Sequence, residues 1–251
     1  MNDLFDITGK RAIVTGGSRG IGFVLARTLC EAGCKVAITG SGDSIHAAAE
    51  KLGPPDRVRG FVGNFQDSAA VERCFREARD FLGGVDILVN NAGTQIRYPC
   101  EDFPLEDFQR LLQVNLTAAF QMAQLAGREM LAQGHGKIIN IASMLSFFGG
   151  HNVPAYAASK GGLAQLTKSL SNGWAARGVN VNALAPGYLA TDNTAAIRAD
   201  PARNQEILSR IPAGRWGQPE DLAGALLFLA SPASDYLSGI VLPVDGGFMG
   251  R

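Results

Sequence analysis

The sequence predicts an α/β fold, a doubly wound sheet of seven mainly parallel strands with helices on both faces, and three observations carry that expectation. Short β-branched runs alternate with longer helical patterns, the order that produces a parallel sheet with crossover helices. The runs are apolar on both sides instead of alternating, as strands covered on two faces require. The first run leads directly into a glycine-rich turn and then a helical pattern.

In chain order the strand candidates are "RAIVT" (11–15), "KVAIT" (35–39), "RVRGFV" (57–62), "VDILVN" (85–90), "GKIINIA" (136–142), "VNVNALA" (179–185) and "IVLPV" (240–244). Helical patterns lie between them, the longest from about 105 to 133 and another from about 155 to 177. Residues 187–217 break this rhythm and read as a substrate-loop insertion, because long insertions in such domains are usually lids or binding loops. Pro219 is placed to open the helix that follows. A chain of 251 residues without repeat, low-complexity tract or linker reads as a single domain, 1–251.

Composition excludes several classes. Lys+Arg and Asp+Glu balance at 23 each, so no basic stripe points to nucleic acid. The start is acidic where an export signal is basic, and the longest apolar run, "LAGALLFLA" (222–230), is far short of the ~20 residues that span a bilayer. A cytoplasmic location away from membranes is expected. Cys30, Cys34, Cys74 and Cys100 form no CxxC pair and no cluster with His46, His135 and His151, so packing thiols and no metal site are expected.

"TGGSRGIG" (15–22) joins the first strand to the first helix. Glycines there let the backbone approach a pyrophosphate, and the helix N-terminus offers free N–H groups and a positive dipole end. Gly16, Ser18, Arg19, Gly20, Ile21 and Gly22 are therefore candidate cofactor contacts in a Rossmann-type sheet. The spacing is GxxxGxG, which departs from the GxGxxG form.

That spacing, "NNAG" (90–93), Asn115 in "VNL", Ser143 ahead of "YAASK" (156–160), "APGYLAT" (185–191) and "VDGG" (244–247) together resemble the short-chain dehydrogenases/reductases over essentially the whole chain. The resemblance implies a catalytic set of Asn115, Ser143, Tyr156 and Lys160, with Asn115 holding a water that links Lys160 to solvent. It adds Asn91, Ala92, Gly93, Pro186, Gly187, Leu189 and Thr191 to the cofactor contacts, Thr191 through its hydroxyl. It also implies a homotetramer; closed assemblies are common among soluble enzymes.

The residue types support this chemistry independently. Hydride transfer between a secondary alcohol and a nicotinamide leaves a proton to be moved by a group within hydrogen-bond reach. A tyrosine serves if its pKa falls from about 10 towards neutrality, roughly 4 kcal/mol of preferential stabilisation. An ammonium ~4 Å away supplies that order of energy at an effective dielectric of ~20. Lys160 shares a helix face with Tyr156 at i,i+4, and the resemblance has it reach the ribose hydroxyls as well. Ser143, at a strand's C-terminal end, can hydrogen-bond the substrate oxygen.

The second strand ends "ITGSGDS", with no acid at Gly40 or Ser41 to accept from a free ribose and repel a 2′-phosphate. With Ser41 and Arg19 in reach, NADP(H) is favoured over NAD(H), while Asp43 keeps the second possibility open. Asn64 stands where the family often has an aspartate near the adenine. "GKIINIASMLSFFGG" (136–150), "APGYLATDNT" (185–194), "ILSRIPAGRWGQPEDL" (207–222) and "NNAGTQIRYP" (90–99) resemble the sugar-acid branch of the family, the gluconate 5-dehydrogenases and 2-dehydro-3-deoxy-D-gluconate 5-dehydrogenases. A carboxylated substrate would need a cation, for which Arg97 is placed, either as its partner or as a solvated loop residue. His151, Asn152, Met144 and Tyr188 complete the candidate substrate contacts, beside Ser143 and Tyr156. Two alternatives remain: a 3-oxoacyl-thioester reductase, for which the neutral composition offers no basic docking patch, and a non-catalytic dinucleotide-binding regulator, which would be expected to lack part of the Asn–Ser–Tyr–Lys set.

Overall fold

Consecutive apolar residues on each strand go to opposite faces of the sheet, which explains why the runs do not alternate. In the computed structural model, which describes residues 2–250, Val14, Ile38, Val89 and Ile139 join one core cluster while Ile13, Ala37, Leu88 and Ile138 join another. Met1 and Arg251, the ends of the predicted domain, lie outside the described residues. The strands are β1 (Arg11–Thr15), β2 (Lys35–Gly40), β3 (Val58–Val62), β4 (Ile87–Asn90), β5 (Gly136–Ile141), β6 (Val179–Pro186) and β7 (Val241–Val244). Every pairing is parallel, in the order β3-β2-β1-β4-β5-β6-β7. The order reverses between β1 and β4, so a crevice opens at the carboxyl ends of those two strands.

One face is covered by α1 (Gly20–Glu31) and α9 (Ala223–Ala230) through Leu25, Leu29, Leu226 and Leu229. α3 (Ser68–Leu82) and α5 (Ala118–Gln133) cover the other through Val71, Phe75, Met122 and Met130. Each such fully buried side chain contributes about 1.5–3 kcal/mol of transfer free energy. α2 (Ser44–Leu52) follows β2, and α6 (Pro154–Trp174) begins with proline at its first turn, where a missing N–H costs nothing.

The long helix expected over 105–133 is interrupted. α4 (Leu105–Leu112) passes through a π-turn at Gln113–Thr117 before α5 begins. Asn115 sits in that turn, fully buried, and its amide bonds the Thr94 backbone in both directions. Such single π-turns inside helices occur frequently at functional sites. The 187–217 insertion contains α7 (Ala195–Ala199) and α8 (Pro201–Ser209), the latter capped by Asp200, which accepts from the backbone N–H groups of Ala202 and Arg203. Pro219 opens a 3₁₀ turn, Pro219–Leu222, that runs into α9. Among the described residues no helix is long and apolar enough to cross a membrane.

Candidate active site

The glycine loop is built against β4. Thr15 Oγ1 accepts from the backbone N–H groups of Asn91 and Ala92 at 2.9 Å each, and Asn91 Nδ2 donates to the carbonyls of Thr15 and Gly16 at 3.0 and 3.1 Å. A Cβ on Gly22 would lie 2.1 Å from the Gly16 carbonyl oxygen and 2.4 Å from Asn91 Nδ2, so no other residue fits. Gly20 adopts φ +55 with open space where its Cβ would project. A bare backbone turn at a helix start, facing open space at the sheet's switch point, fits a dinucleotide pyrophosphate. Thr15, which locks the two loops together, was not anticipated; its place as the last strand residue before the glycines is the signal that could have found it.

The other predicted cofactor residues border the same crevice. Ser18 and Ile21 are half-buried, and Arg19 is exposed, its side chain without a hydrogen bond or ion pair among the described residues. Ser41 lies just past the end of β2, exposed. Asn64 follows β3 and forms a local turn, its Oδ1 accepting from the Gln66 N–H. Gly93 packs against Asn115, and Pro186 and Gly187 leave the end of β6. Leu189 is 5% exposed, within the core and bridged to Gly217, so its side chain serves packing. Thr191 forms a reciprocal capping box with Thr194, which occupies its hydroxyl as an acceptor and leaves its proton free to donate.

The four predicted catalytic residues converge at the β5–α6 side of this crevice. Ser143, extended at the end of β5, accepts from the Leu145 N–H at 3.2 Å, and its side chain hydrogen-bonds that of Tyr156. Lys160 is 5% exposed; its Nζ donates to the Ile141 carbonyl at 2.6 Å and stands 5.6 Å from the Tyr156 ring centre. Asn115 Nδ2 reaches Ser159 Oγ at 3.2 Å, and Ser159 in turn donates to the Tyr156 carbonyl at 2.8 Å. Asn115 thus meets α6 one residue before the lysine.

One expectation needs correction. Tyr156 does not have a lowered pKa in the chain alone: burial pushes its phenol above the ordinary value, with the Ser143 hydrogen bond acting the other way. Lys160 is itself pulled down to about 8 by burial, and its ammonium is directed at a backbone carbonyl instead of the phenol oxygen. The two residues are neighbours at i,i+4, but burial of the phenol sets the direction of its shift.

A pocket of about 180 Å³ opens beside Ser143 and Tyr156. Arg97, Met144, His151 and Tyr188 line it, as the sequence suggested. Asn152 does not: it is the one described non-glycine residue at positive φ, +59, and its carbonyl accepts from the Tyr98 N–H, so it shapes the loop that presents His151. Gln95, Thr194 and Arg203 also line the pocket and were missed: Gln95 lies on the irregular stretch after β4, and the insertion that carries Thr194 and Arg203 could not be placed over the site from pattern alone. Three of the four cysteines pack as thiols: burial raises Cys30, Cys34 and Cys74 to about 11, 12 and 12, whereas Cys100 is exposed.

Fold and site define a dinucleotide-binding α/β protein with a Tyr–Lys–Ser group at the cofactor crevice, the class of nicotinamide-dependent oxidoreductases. A family model described as enoyl-(acyl carrier protein) reductase matches residues 16–249. The 2-dehydro-3-deoxy-D-gluconate 5-dehydrogenase of Bacillus subtilis is 49% identical, covering 100% of this chain and 99% of the relative. The gluconate 5-dehydrogenase of Gluconobacter oxydans is 42% identical over 98% of this chain and 96% of its own. The crystal structure of a gluconate 5-dehydrogenase from Burkholderia cenocepacia, in complex with NADP and tartrate, is 41% identical, with a TM-score of 0.94 and coverage of 99% and 98%. The chain belongs to the short-chain dehydrogenase/reductase family, and it is an NAD(P)-dependent enzyme acting on CH–OH groups.

Proposed function

We propose that the protein interconverts the keto group and secondary alcohol of a sugar acid of the gluconate or keto-deoxygluconate type. The observation that carries the reading is the pocket itself: Ser143 and Tyr156 stand at one side, arginines line it, and among the described residues no Asp or Glu does. That charge balance favours a carboxylate substrate, and the curated relatives named above act on such compounds by name.

A bound nicotinamide dinucleotide supplies the hydride donor or acceptor. Gly16, Ser18, Arg19, Gly20, Ile21 and Gly22 would hold its phosphates, Asn91, Ala92 and Gly93 the ribose side, and Pro186, Gly187 and Thr191 the nicotinamide side. Ser143 orients the substrate oxygen by a hydrogen bond. Tyr156, whose phenol burial keeps from being acidified, donates its phenolic proton to the nascent alkoxide in the reductive direction, and as phenolate removes the hydroxyl proton in the oxidative one. Lys160 keeps positive charge beside the ring, lowering the cost of a transient phenolate. Asn115 holds α6 in register through Ser159.

NADP(H) is favoured over NAD(H) because Arg19 and Ser41 are exposed at the crevice and no acid ends β2. Asp43 instead stands at the N-cap position just before α2. A cytoplasmic homotetramer formed by a single domain is inferred from family resemblance, and the exposed Leu105 and Phe120 on α4 and α5 suit a subunit contact. A spectrophotometric screen of keto sugar acids and their alcohols with both cofactors tests the whole reading. Turnover of a sugar acid with higher kcat/KM for NADPH is expected; turnover confined to acyl thioesters would overturn the substrate class, and an NADH preference the cofactor assignment.

A further inference from the structure

The insertion brings a second arginine to the pocket. Arg203 projects from α8, with its side chain 47% exposed and paired to Glu206 one turn on. Unlike Arg203, Glu206 does not line the pocket. An exposed pair of this kind contributes little to stability. Its effect is to hold the guanidinium in one orientation while leaving other N–H donors unused.

Three anchors fix the helix that carries it. Asp200 caps the first turn at the N–H groups of Ala202 and Arg203, at 3.0 and 3.2 Å. Trp216 Nε1 donates to Asn204 Oδ1 at 2.7 Å. Ile207, 2% exposed, packs with Met144 and Phe248. Arg97, by contrast, lies on a stretch without helix or strand, and its side chain has no hydrogen bond or ion pair among the described residues. Charged groups preorganised on anchored helices recognise ligands with less ordering cost than those on loops.

We propose that Arg203, positioned by Glu206, is the specificity-determining residue that receives the substrate carboxylate, with Arg97 in an auxiliary role. This rests on the sugar-acid reading above. The pocket then measures the span between Ser143–Tyr156 and Arg203, and selects acids whose reacting carbon lies at that distance from the carboxylate.

The test is steady-state kinetics of Arg203→Gln, Arg203→Lys, Arg97→Gln and Glu206→Gln on a sugar acid and on an uncharged polyol or ketose of equal length, with thermal melts of each variant. Arg203→Gln is expected to raise KM for the acid roughly 10- to 100-fold, the range for a lost charged hydrogen bond, with kcat changed less than about threefold and the neutral compound unaffected. Arg203→Lys should restore part of the loss, Arg97→Gln should cost less than Arg203→Gln, and Glu206→Gln should raise KM for the acid with kcat intact. An equal loss on acid and neutral substrates, an unchanged KM, or a larger effect from Arg97→Gln overturns the assignment to Arg203 while leaving the sugar-acid reading standing. Wild-type turnover of neutral substrates alone would sink both.

Discussion

The Lys160 ammonium donates to the Ile141 carbonyl at 2.6 Å, tying the catalytic helix α6 to the last residue of β5, two positions before Ser143. With the Asn140–Thr167 bond, this contact ties the helix that carries Tyr156 to the strand that delivers Ser143. It also places a charge where water is excluded, and burial lowers the lysine to about 8.

That burial has a thermodynamic signature. Between about 8, its folded value, and the ordinary 10.5, the unfolded chain still holds the proton that the folded chain has lost, so stability rises with pH across this window. Lys160→Met should flatten that slope and raise stability near pH 7 by about 1–2 kcal/mol, the relief of desolvation less the lost hydrogen bond. Turnover should fall by orders of magnitude. Chemical denaturation from pH 7 to 10.5 checks it; an unchanged slope in the variant would refute the buried-charge account.

Tyr156→Phe removes the only proton the phenol can give while keeping the ring that packs beside Lys160. Turnover in both directions should drop by at least about 10²-fold, the lower end for general acid–base catalysis, with dinucleotide binding within about twofold. A phenol is protonated at neutral pH already at its ordinary pKa of about 10, and burial, by raising that value, extends the protonated range further towards alkaline pH. Ketone reduction should therefore persist into the alkaline range, whereas alcohol oxidation should climb as pH rises. Parallel pH profiles of kcat/KM in the two directions decide this, and oxidation that peaks below neutrality would contradict it.

Gly22 faces two close neighbours, the Gly16 carbonyl and the Asn91 amide. Gly22→Ala should push the glycine loop from β4, costing about 1–3 kcal/mol of stability as overpacking does and weakening dinucleotide binding by roughly tenfold or more. Gly20→Ala meets open space and differs only by the strain of its left-handed φ. Calorimetric titration of both variants with NADPH separates loop distortion from loop stiffness; equal binding losses would argue against the wedge.

Much of this architecture was legible because it rests on local signals. Double-sided strand runs announce a sheet covered on two faces, and Ser143 with Tyr156 and Lys160 lie close in sequence as well as in space. What stayed hidden depends on long-range placement. Asn115, in the π-turn, bonds Thr94 and Ser159, 21 and 44 residues away, contacts that no helical periodicity encodes. Nothing in the sequence singles out Arg203, which reaches the pocket because α8 packs through Ile207 beside Met144. Tyr156 was expected to be acidified by its lysine, yet burial, which spacing does not report, sets the direction of the shift.

At the opposite end of the sheet, Arg11 and Asp86 join β1 to the residues before β4, with contacts at 2.8 and 2.7 Å and a further bond from the Arg11 backbone N–H. Burial works to raise the Asp86 carboxyl, and the hydrogen bonds from Arg11 outweigh it, holding the group at about 2 against an ordinary 3.8. Because the folded value is depressed, the stabilisation is complete above 3.8 and is lost as pH falls through about 2. Asp86→Asn should therefore cost about 2 kcal/mol at pH 7 and remove that part of the acid-induced loss. kcat should not change, since the pair lies far from the crevice across the length of the strands. Urea titrations at pH 7 and pH 3 measure the difference, and a variant as stable as wild type at pH 7 would show that Arg11 and Asp86 contribute no net coupling.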